Sequence, residues 1–527
     1  MVLEFIKNFK YLKVLSANAM ELKQLKRIVS GSRYNHKLKR DETVCYMSSN
    51  SIIPSGFYGA LLGLKSKGYD VNIKNFDQFK VRITKSELGE WINKQDLELE
   101  PYEYQFKSTF IGLNFRQCRV LLDTSAGKSF IIYLYSLYLL KERLDKDLKV
   151  LVLVPRTMLV KQLPQDFLGY SKSNEIICDE IMAKGVLREG SNVVVGNINS
   201  VVKKPLEWFK QFGAIIVDEG HKSNNESTQK VLNIMFQMKR CDYIFGMSGT
   251  FEMVDGGGTN YDEYSAVTET AYLGAVLLKI YQEELLEQYG SVTPTKINIV
   301  NFNADYKLCE QYYNHPDNET EDLRFLFESN YIQGIPMFRR TINKIICANE
   351  YNQVALFNTT KILNQMADEC RKYCEENNID RDIFIITGKT PEKKRDIIIK
   401  RMNASNKAIL FSMYSILSTG ISIKLLTSIH LVDSTKAVDR LRQSIGRVLR
   451  LHPSKKTAIV FDYTVTFKKH NHNWGGGYTN SYAKHSEERI HVYNTRKFPN
   501  KVIDTNLSGV SEFMKEIPRV HRIKEKK

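Results

Sequence analysis

The chain has 527 residues, 43% of them hydrophobic and 26% charged, which is too long for a single core and predicts two or three globular domains rather than a disordered or fibrous chain. A formal net charge of +17 indicates a polyanionic partner, either nucleic acid or an anionic membrane face, unless the basic surface only aids solubility. The eight cysteines are scattered, with Cys370 and Cys374 as a pair on one predicted helix, and no apolar run reaches about 18 residues, so we expect no disulfide framework, no zinc site and no transmembrane span.

The first segment, residues 1–95, predicts a small α+β module. The stretch "KYLKVLS" alternates like a strand, "AMELKQLKRIVS" has helical spacing, and a turn, a helix, a glycine and a strand follow. A contact with nucleic acid would suit its basic residues, and an ordinary solvated domain explains them equally well. These residues are Lys23, Lys26, Arg27, Lys37, Lys39 and Arg40.

From about residue 96, short apolar strands alternate with helices. The runs "CRVLLDT", "KVLVLVP", "SNVVVGN", "GAIIVDE" and "CDYIFGMSG" are rich in β-branched residues, which is typical of parallel strands buried on both faces. We expect a first α/β domain over residues 96–290, a second over 291–500 and a basic tail over 501–527. An acidic, Asn-rich insertion over 303–330 and a loop over 468–480 have no predicted role.

The stretch "LLDTSAGKSF" joins a strand to a helix through a turn of small residues. Such a turn lets successive backbone N–H groups and the helix N-terminus point at phosphate oxygens. Lys128 could then reach the β and γ phosphates of a nucleotide, and the Ser129 hydroxyl suits Mg²⁺. The usual pattern has glycine where this chain has Leu122, so a plain strand–turn–helix with a solvated lysine remains an alternative at this point.

A second stretch, "IIVDEGH", ends a buried strand on two carboxylates. Because parallel strands end at a common edge of their sheet, Asp218 is expected opposite Ser129 across one metal ion, and Glu219 would face the attacking water as general base or orienting group. The alternative is that the two acids cap the next helix. His221 either links the nucleotide site to the path of a polynucleotide or is an ordinary hydrogen-bonded histidine.

A series of motifs over about residues 100–465 resembles, in the same order, the motifs of superfamily 2 helicases of the DExH type. They are "TSAGKS" (124–129), "VPRTMLVKQ" (154–162), "VVVGNINSVV" (193–202), "DEGH" (218–221), "SGT" (248–250), "SILSTGISIKLL" (415–426) and "QSIGRVLR" (443–450). The phrase "KKPLEWFKQFG" and the N-terminal module with its Pro-Ser-Gly-Phe turn resemble the UvsW-type recombination helicases of tailed phages. Gly220 departs from the Cys or Ala that such enzymes often have there.

The resemblance implies an α/β fold of two tandem RecA-like parallel-sheet domains after the small α+β domain, with ATP and Mg²⁺ as cofactors. It implies a metal held by Ser129 and Asp218, and arginines that stabilise the γ phosphate as charge develops. The nucleotide-binding residues would be Gln105, Thr124, Ser125, Ala126, Gly127, Lys128, Ser129 and Gly420. The catalytic residues would be Lys128, Asp218, Glu219, Gln443, Arg447 and Arg450. The coupling residues would be His221, Ser248 and Thr250.

The same resemblance implies an ATP-dependent DNA helicase or translocase that acts on branched or duplex DNA in recombination, repair and replication. Forks, D-loops, Holliday junctions and R-loops are the implied substrates, and a monomeric motor in the host cytoplasm, without a membrane partner, is the implied form. Contacts with the strand would go to phosphates, so that binding tolerates sequence and weakens with salt. The implied contact residues are Arg156, Thr157, Asn199, Ser200, Thr387 and Thr419.

Three alternatives remain at this level. An RNA helicase has the same motifs, and the motif ending in histidine does not separate DNA from RNA. The motor subunit of a restriction complex is a second, although the N-terminal module has no nuclease-like carboxylate cluster. A non-catalytic nucleic-acid binder that kept the fold is the third, and the intact Lys128, Asp218 and Glu219 argue against it.

Overall fold

The computed structural model describes the chain except for residues 36–38, 124, 184, 250, 252–261, 308, 311–333, 350, 418–422, 424, 434–444, 447–451, 453–454, 470–477, 496–497 and 507–527. The chain divides into two compact units, Met1–Tyr281 and Gln282–Lys527. In the part that is described, no helix is both long enough and apolar enough to cross a membrane.

The first unit opens with a small α+β region, as the sequence predicts. Its strands are β1 (Val2–Ile6), β2 (Tyr11–Ser16), β3 (Ser30–Asn35), β4 (Arg40–Cys45), β5 (Ile52–Pro54) and β6 (Asn72–Lys74). Its helices are α1 (Ala19–Ile28), α2 (Tyr58–Ser66), α3 (Phe76–Phe79) and α4 (Lys85–Asn93). Four strands form one sheet in the order β5-β2-β1-β6, and β3 and β4 form a separate hairpin. Leu3 and Leu12 of this sheet share one buried cluster with Leu25 of α1 and Leu61 of α2.

A seven-stranded sheet, which we call the first parallel sheet, forms the rest of this unit. Its strands are β7 (Gln117–Leu122), β8 (Lys149–Val154), β9 (Cys178–Ile181), β10 (Val193–Asn197), β11 (Phe212–Asp218), β12 (Tyr243–Ser248) and β13 (Val276–Ile280). The accompanying helices are α5 (Glu103–Asn114), α6 (Lys128–Glu142), α7 (Thr157–Leu168), α8 (Ile198–Val201), α9 (Glu226–Gln237) and α10 (Glu263–Leu273). A short 3-10 helix spans Gly220–Asn224.

All neighbouring strands of the first parallel sheet run parallel, in the order β13-β7-β12-β11-β8-β10-β9. The strands β7 and β10 are buried at every residue, which is why their sequences are continuous apolar runs rather than alternating ones. Because every strand has the same direction, the segments that follow β7, β8, β10, β11 and β12 leave the sheet at one edge. The predicted motifs of this domain therefore share that edge.

Buried polar contacts attach the N-terminal region to the first parallel sheet. The Lys10 ammonium, 6% exposed, donates to the carbonyl oxygens of Met235, at 3.2 Å, and Met238 after the end of α9. Burial lowers the pKa of Lys10. Ser55 donates through its hydroxyl to the Gln117 side chain at the start of β7, over 2.6 Å. These desolvated bonds make the module an integral part of the unit.

The second unit contains another seven-stranded sheet, which we call the second parallel sheet. The strands of the unit are β14 (Thr295–Asn303), β15 (Asn352–Phe357), β16 (Asp382–Ile386), β17 (Ala408–Met413), β18 (Leu426–Leu431), β19 (Ala458–Thr466), β20 (Lys468–Lys469), β21 (Tyr478–Thr479) and β22 (Asn500–Asn506). Its described helices are α11 (Gln282–Glu287), α12 (Gly334–Ala348), α13 (Thr360–Glu376), α14 (Glu392–Ala404), α15 (Tyr414–Leu417) and α16 (Ser481–Thr495).

The second parallel sheet has the strand order β16-β17-β15-β18-β19-β14-β22, and all its neighbours are parallel. The predicted fold class, two tandem parallel-sheet domains after an α+β region, is thereby confirmed. The edge strand β22 lies in the segment that the sequence assigns to the C-terminal tail. Most of the predicted 303–330 insertion and much of the 468–480 loop lie outside the described residues.

Two buried polar networks brace the second parallel sheet. His430 on β18 is hydrogen-bonded through Nε2 to Gln353 Oε1, at 2.8 Å, and through Nδ1 to the Tyr463 hydroxyl, at 2.9 Å. Because the carboxamide oxygen can only accept, the ring carries its proton on Nε2 and receives the tyrosine proton on Nδ1. Burial lowers the pKa of His430 to about 3, so the ring is neutral at physiological pH.

The other network is an ion pair between β19 and α16. Arg489 donates through Nε and Nη2 to the two carboxylate oxygens of Asp462, both at 2.8 Å, and the Tyr493 hydroxyl donates to Asp462 at 2.7 Å. The arginine and aspartate side chains are 4% and 0% exposed. A fork of this kind satisfies the geometry that a desolvated arginine–carboxylate pair requires.

Candidate active site

The described residues of the turn between β7 and α6 are Asp123 and 125–127. Ser125 and Gly127 both adopt left-handed conformations, with φ of 71° and 68°. The backbone conformation at Gly127 is one that L side chains rarely adopt, and a Cβ atom there would lie 2.5 Å from Nε2 of Gln105, so the end of the Gln105 side chain would have to shift. Lys128 begins α6 and donates through Nζ to the Leu122 carbonyl at 3.2 Å. The presence of Leu122 in place of the usual glycine does not prevent the turn.

Gln105 stabilises this turn through a side-chain hydrogen bond. Its side chain is 5% exposed, donates through Nε2 to the Ala126 carbonyl at 3.2 Å and accepts at Oε1 from the backbone N–H of Tyr102 at 3.0 Å. One N–H of the carboxamide is not used in these two bonds and remains available for a ligand. The observed contacts make Gln105 a brace for the loop, and the predicted contact with an adenine edge stays a prediction.

The two carboxylates lie where β11 leaves the first parallel sheet. Asp218 is its last residue, and Glu219 takes a left-handed backbone conformation, φ 53°, that turns the chain away. The backbone N–H of Glu219 donates to Asp218 Oδ1 at 3.0 Å. The alternative is that both acids cap the next helix. The 3-10 helix that follows has no side-chain hydrogen bond at its N-cap among the described residues, so the structure does not support that alternative.

The charge of Lys128 affects the pKa of both Asp218 and Glu219. Burial and the neighbouring Glu219 raise the pKa of Asp218 to about 6, and the positive charge of Lys128 opposes this rise. Burial also acts to raise the pKa of Glu219, but a hydrogen bond from His221 and the charges of Lys128 and His221 outweigh it and lower the pKa to about 2. Glu219 is therefore ionised at neutral pH, as a group that orients or deprotonates water must be.

His221 connects the acidic segment to the end of β12. Its Nδ1 lies 2.8 Å from the Ser248 hydroxyl and 3.4 Å from Glu219 Oε2. The ring is thus held between two predicted motifs, which favours a linking role over that of an isolated core histidine. Thr250, the third predicted coupling residue, lies outside the described residues.

The donor chemistry of the site fits Mg²⁺, which prefers oxygen ligands and usually binds through one or two protein groups. Ser129 offers a hydroxyl and Asp218 a carboxylate, and a cation would relieve the repulsion between Asp218 and Glu219 that raises the pKa of Asp218. The raised pKa of Asp218 supports a cation site here independently of the sequence motif.

Tyr170 is a residue at this site that sequence reasoning missed. Its hydroxyl is 2.6 Å from Oγ of Ser129, and its ring packs against Phe130 and Tyr133 with centroids 4.9 and 5.7 Å apart. The backbone carbonyl of Tyr170 also accepts from the N–H of Glu98 at 2.9 Å. No motif includes Tyr170, because it follows α7 and reaches Ser129 only through the packing of α7 on α6.

The predicted nucleic-acid contacts of the first unit also lie at the motif edge of its sheet. Arg156 and Thr157 follow β8 and begin α7, and Asn199 and Ser200 follow β10 in α8. Thr157 and Asn199 are exposed, so each side chain can meet a ligand. In the second unit, Thr387 follows β16 and its N–H is bonded within its own turn, by the Thr390 hydroxyl at 2.9 Å.

Several predicted residues cannot be located in this way. Thr124 of the phosphate-binding turn and all of the predicted nucleotide-binding and catalytic residues of the second domain lie outside the described residues. These second-domain residues are Gly420, Gln443, Arg447 and Arg450. The predicted nucleic-acid contact Thr419 also lies outside the described residues.

Two models of known protein families match ranges that contain strands of each parallel sheet. The model described as the res subunit of type III restriction enzymes matches residues 91–253, and the model described as the helicase conserved C-terminal domain matches residues 338–452. The first range contains Lys128, Asp218 and Glu219, and the second contains Arg447 and Arg450.

Individual proteins match over longer ranges. The chain is 27% identical over 498 residues to ATP-dependent DNA helicase uvsW of Enterobacteria phage T4, covering 90% of this chain and 93% of that protein. It is 24% identical over 359 residues to the putative ATP-dependent helicase IRC3 of Saccharomyces cerevisiae, covering 65% and 48%. Among solved structures, a fragment of a putative HsdR subunit of a type I restriction enzyme from Vibrio vulnificus YJ016 shares the fold, with a TM-score of 0.53, 12% identity and coverage of 96% and 88%.

Proposed function

The chain is an ATP-dependent helicase of superfamily 2 related to UvsW, and we propose that its substrate is branched DNA, such as forks, D-loops and Holliday junctions, with R-loops as a further candidate. The single observation that carries the proposal is the likeness to a DNA helicase over 90% of the chain, which is more than the two conserved domains alone cover. The net charge of +17 supports a polyanionic substrate. We further propose a monomeric motor that serves recombination, repair and replication in the cytoplasm of a phage-infected host.

For hydrolysis we propose that Lys128 binds the β and γ phosphates of ATP and that Ser129 and Asp218 hold Mg²⁺. Glu219, ionised at neutral pH, orients the attacking water, and His221, whose Nδ1 lies 3.4 Å from Glu219 Oε2, supports that carboxylate. Gln105 fixes the turn that carries Lys128. An Mg²⁺ ion held by Ser129 and Asp218 would supply positive charge to offset the negative charge that develops on the phosphates.

The remaining predicted roles are part of the same proposal. Arg447 and Arg450 would stabilise the γ phosphate, which can contribute about 10³- to 10⁵-fold in rate, and Gln443 would position water. Ser125, Ala126 and the other residues of the turn would bind phosphate through backbone N–H groups. Phosphate contacts with the strand would come from the residues Arg156, Thr157, Asn199, Ser200, Thr387 and Thr419.

The experiment is a steady-state ATPase assay with single-stranded, duplex, forked and four-way DNA and with RNAs of matched structure. The proposal predicts hydrolysis that is stimulated most by forked or four-way DNA and is abolished in Lys128→Ala and Glu219→Gln. Stronger stimulation by matched RNA would assign the helicase to RNA instead. Tight DNA binding without hydrolysis by the unaltered chain would indicate a non-catalytic binder, and hydrolysis that survives both substitutions would remove the roles given to these residues.

A further inference from the structure

Three cysteines of the second unit meet in the core between α12 and α13. Cys347 lies on α12, and Cys370 and Cys374 lie one turn apart on α13. The sulfur of Cys347 is 3.5 Å from that of Cys370 and 3.4 Å from that of Cys374, and all three sulfurs lie within 4.8 Å of one another. The residues are 6%, 0% and 6% exposed. The fold thus adds a third thiol to a pair whose sequence spacing alone gives no reason to expect a metal.

The spacing of these sulfurs suits a thiophilic metal ion. A zinc–sulfur bond is about 2.3 Å long, which places the sulfurs of a tetrahedral site about 3.8 Å apart. The two sulfur–sulfur distances from Cys347, 3.5 and 3.4 Å, fall short of this value by a few tenths of an ångström, a change within the reach of small side-chain rotations. Thiolate ligands select soft or borderline ions such as Zn²⁺ over Mg²⁺ or Ca²⁺.

The charge around the cluster favours a divalent ion. Arg381 donates through Nη2 to the Tyr351 carbonyl at 2.9 Å, while its Nε is buried and has no hydrogen-bond partner among the described residues. Burial lowers the pKa of Arg381, and any negative charge that develops on Cys347, Cys374 or Cys370 would raise it, so the guanidinium lies within electrostatic reach of the three sulfurs. A divalent ion together with this guanidinium would balance three thiolates, as a desolvated cluster requires.

We propose that Cys347, Cys370 and Cys374 bind one divalent thiophilic metal ion of the zinc class and thereby join α12 to α13. The three thiols release their protons to solvent as the ion binds, with no change in oxidation state. Three protein ligands leave the fourth tetrahedral position to a water molecule. None of the three cysteines has a role in the proposed nucleotide site, so this proposal stands or falls independently of the proposed function.

The test is a titration of the reduced, metal-free full chain with Cd²⁺, followed by the ultraviolet charge-transfer band that cadmium forms with thiolates. We expect one equivalent to bind with that band, and Zn²⁺ to displace it. Cys347→Ala and Cys374→Ala should each weaken binding about tenfold or more. Cys241→Ala is the matched control, because Cys241 is also buried and free but lies in the first unit. It should bind as the unaltered chain does.

Two results would overturn the site. One is a titration of the unaltered chain that produces no thiolate band, which would make the cluster an ordinary core contact of small apolar residues. The other is a band of full strength in Cys347→Ala. A second measurement covers the case in which a variant does not fold: one equivalent of Zn²⁺ should raise the thermal midpoint of the unaltered chain, and an unchanged midpoint would contradict the proposal.

Discussion

Replacing Tyr170 by phenylalanine removes one hydroxyl beside Ser129 and keeps the ring that packs on Phe130 and Tyr133. A serine hydroxyl has one proton to donate and two lone pairs, so donating to Tyr170 would leave its lone pairs directed to a metal. A hydrogen bond of this kind contributes about 0.5–1.5 kcal/mol net, which corresponds to about a two- to twelvefold change in an equilibrium constant. We therefore expect the Mg²⁺ concentration that half-saturates ATP hydrolysis to rise by that factor in Tyr170→Phe.

The assay is ATPase rate against free Mg²⁺ at saturating ATP and DNA. Tyr133→Phe is the matched control, because its ring belongs to the same aromatic cluster while its hydroxyl makes no bond to Ser129 among the described residues. Ser129→Ala should show the largest shift. An unchanged half-saturation in Tyr170→Phe, or an equal shift in Tyr133→Phe, would refute the idea that Tyr170 orients the metal ligand.

Further predictions concern stability and the phosphate-binding turn. Burial lowers the pKa of His430 to about 3, so the unfolded chain takes up a proton below about pH 6.5 that the folded chain does not. Between pH 7 and pH 5 this group alone should cost about 2 kcal/mol of stability, seen in urea unfolding as a steeper loss for the unaltered chain than for His430→Gln, and equal pH profiles of the two chains would contradict this. Arg489→Met should lower the free energy of unfolding by about 3–5 kcal/mol, because it leaves the buried Asp462 carboxylate without its positively charged partner. Combining it with Asp462→Asn should recover part of that loss. Gly127→Ala should weaken ATP binding about tenfold, because alanine in a left-handed backbone costs about 1–2 kcal/mol. Its Cβ would also displace the flexible end of the Gln105 side chain, so Gln105→Ala in the same chain should recover only a small part of the loss, and tight binding by the single variant would contradict the assignment.

The residues that are easiest to predict from the sequence are those that directly follow a continuous apolar strand. A continuous β-branched run must be buried on both faces, so the strands that end at Leu122 and Asp218 could be found without a structure. The parallel direction of the strands then places Lys128 at the same edge as Asp218 and Glu219, and the charge of Lys128 acts to lower the pKa of both acids. The prediction of this site needed only the apolar pattern of the two strands and the polar residues at their carboxyl ends.

Residues that act across distant segments could not be found in this way. Tyr170 reaches Ser129 across 41 positions, and Cys347 reaches Cys370 across 23, and neither distance in sequence carries a signal. The strand β22 was missed for a different reason: it lies at the edge of its sheet, next to β14 alone, and with Ile503 buried and Val502 exposed it has a weak hydrophobic pattern. Packing decides these three features, and the sequence records packing only indirectly.

The central claim is that ATP hydrolysis at the ends of β7 and β11 drives the remodelling of branched DNA. It is tested most directly by following strand separation of a forked DNA and binding of a fluorescent ATP analogue in the unaltered chain and in Glu219→Gln. The account predicts that the variant binds the nucleotide about as tightly as the unaltered chain but neither hydrolyses it nor separates the fork. Fork separation at an undiminished rate in Glu219→Gln would contradict it.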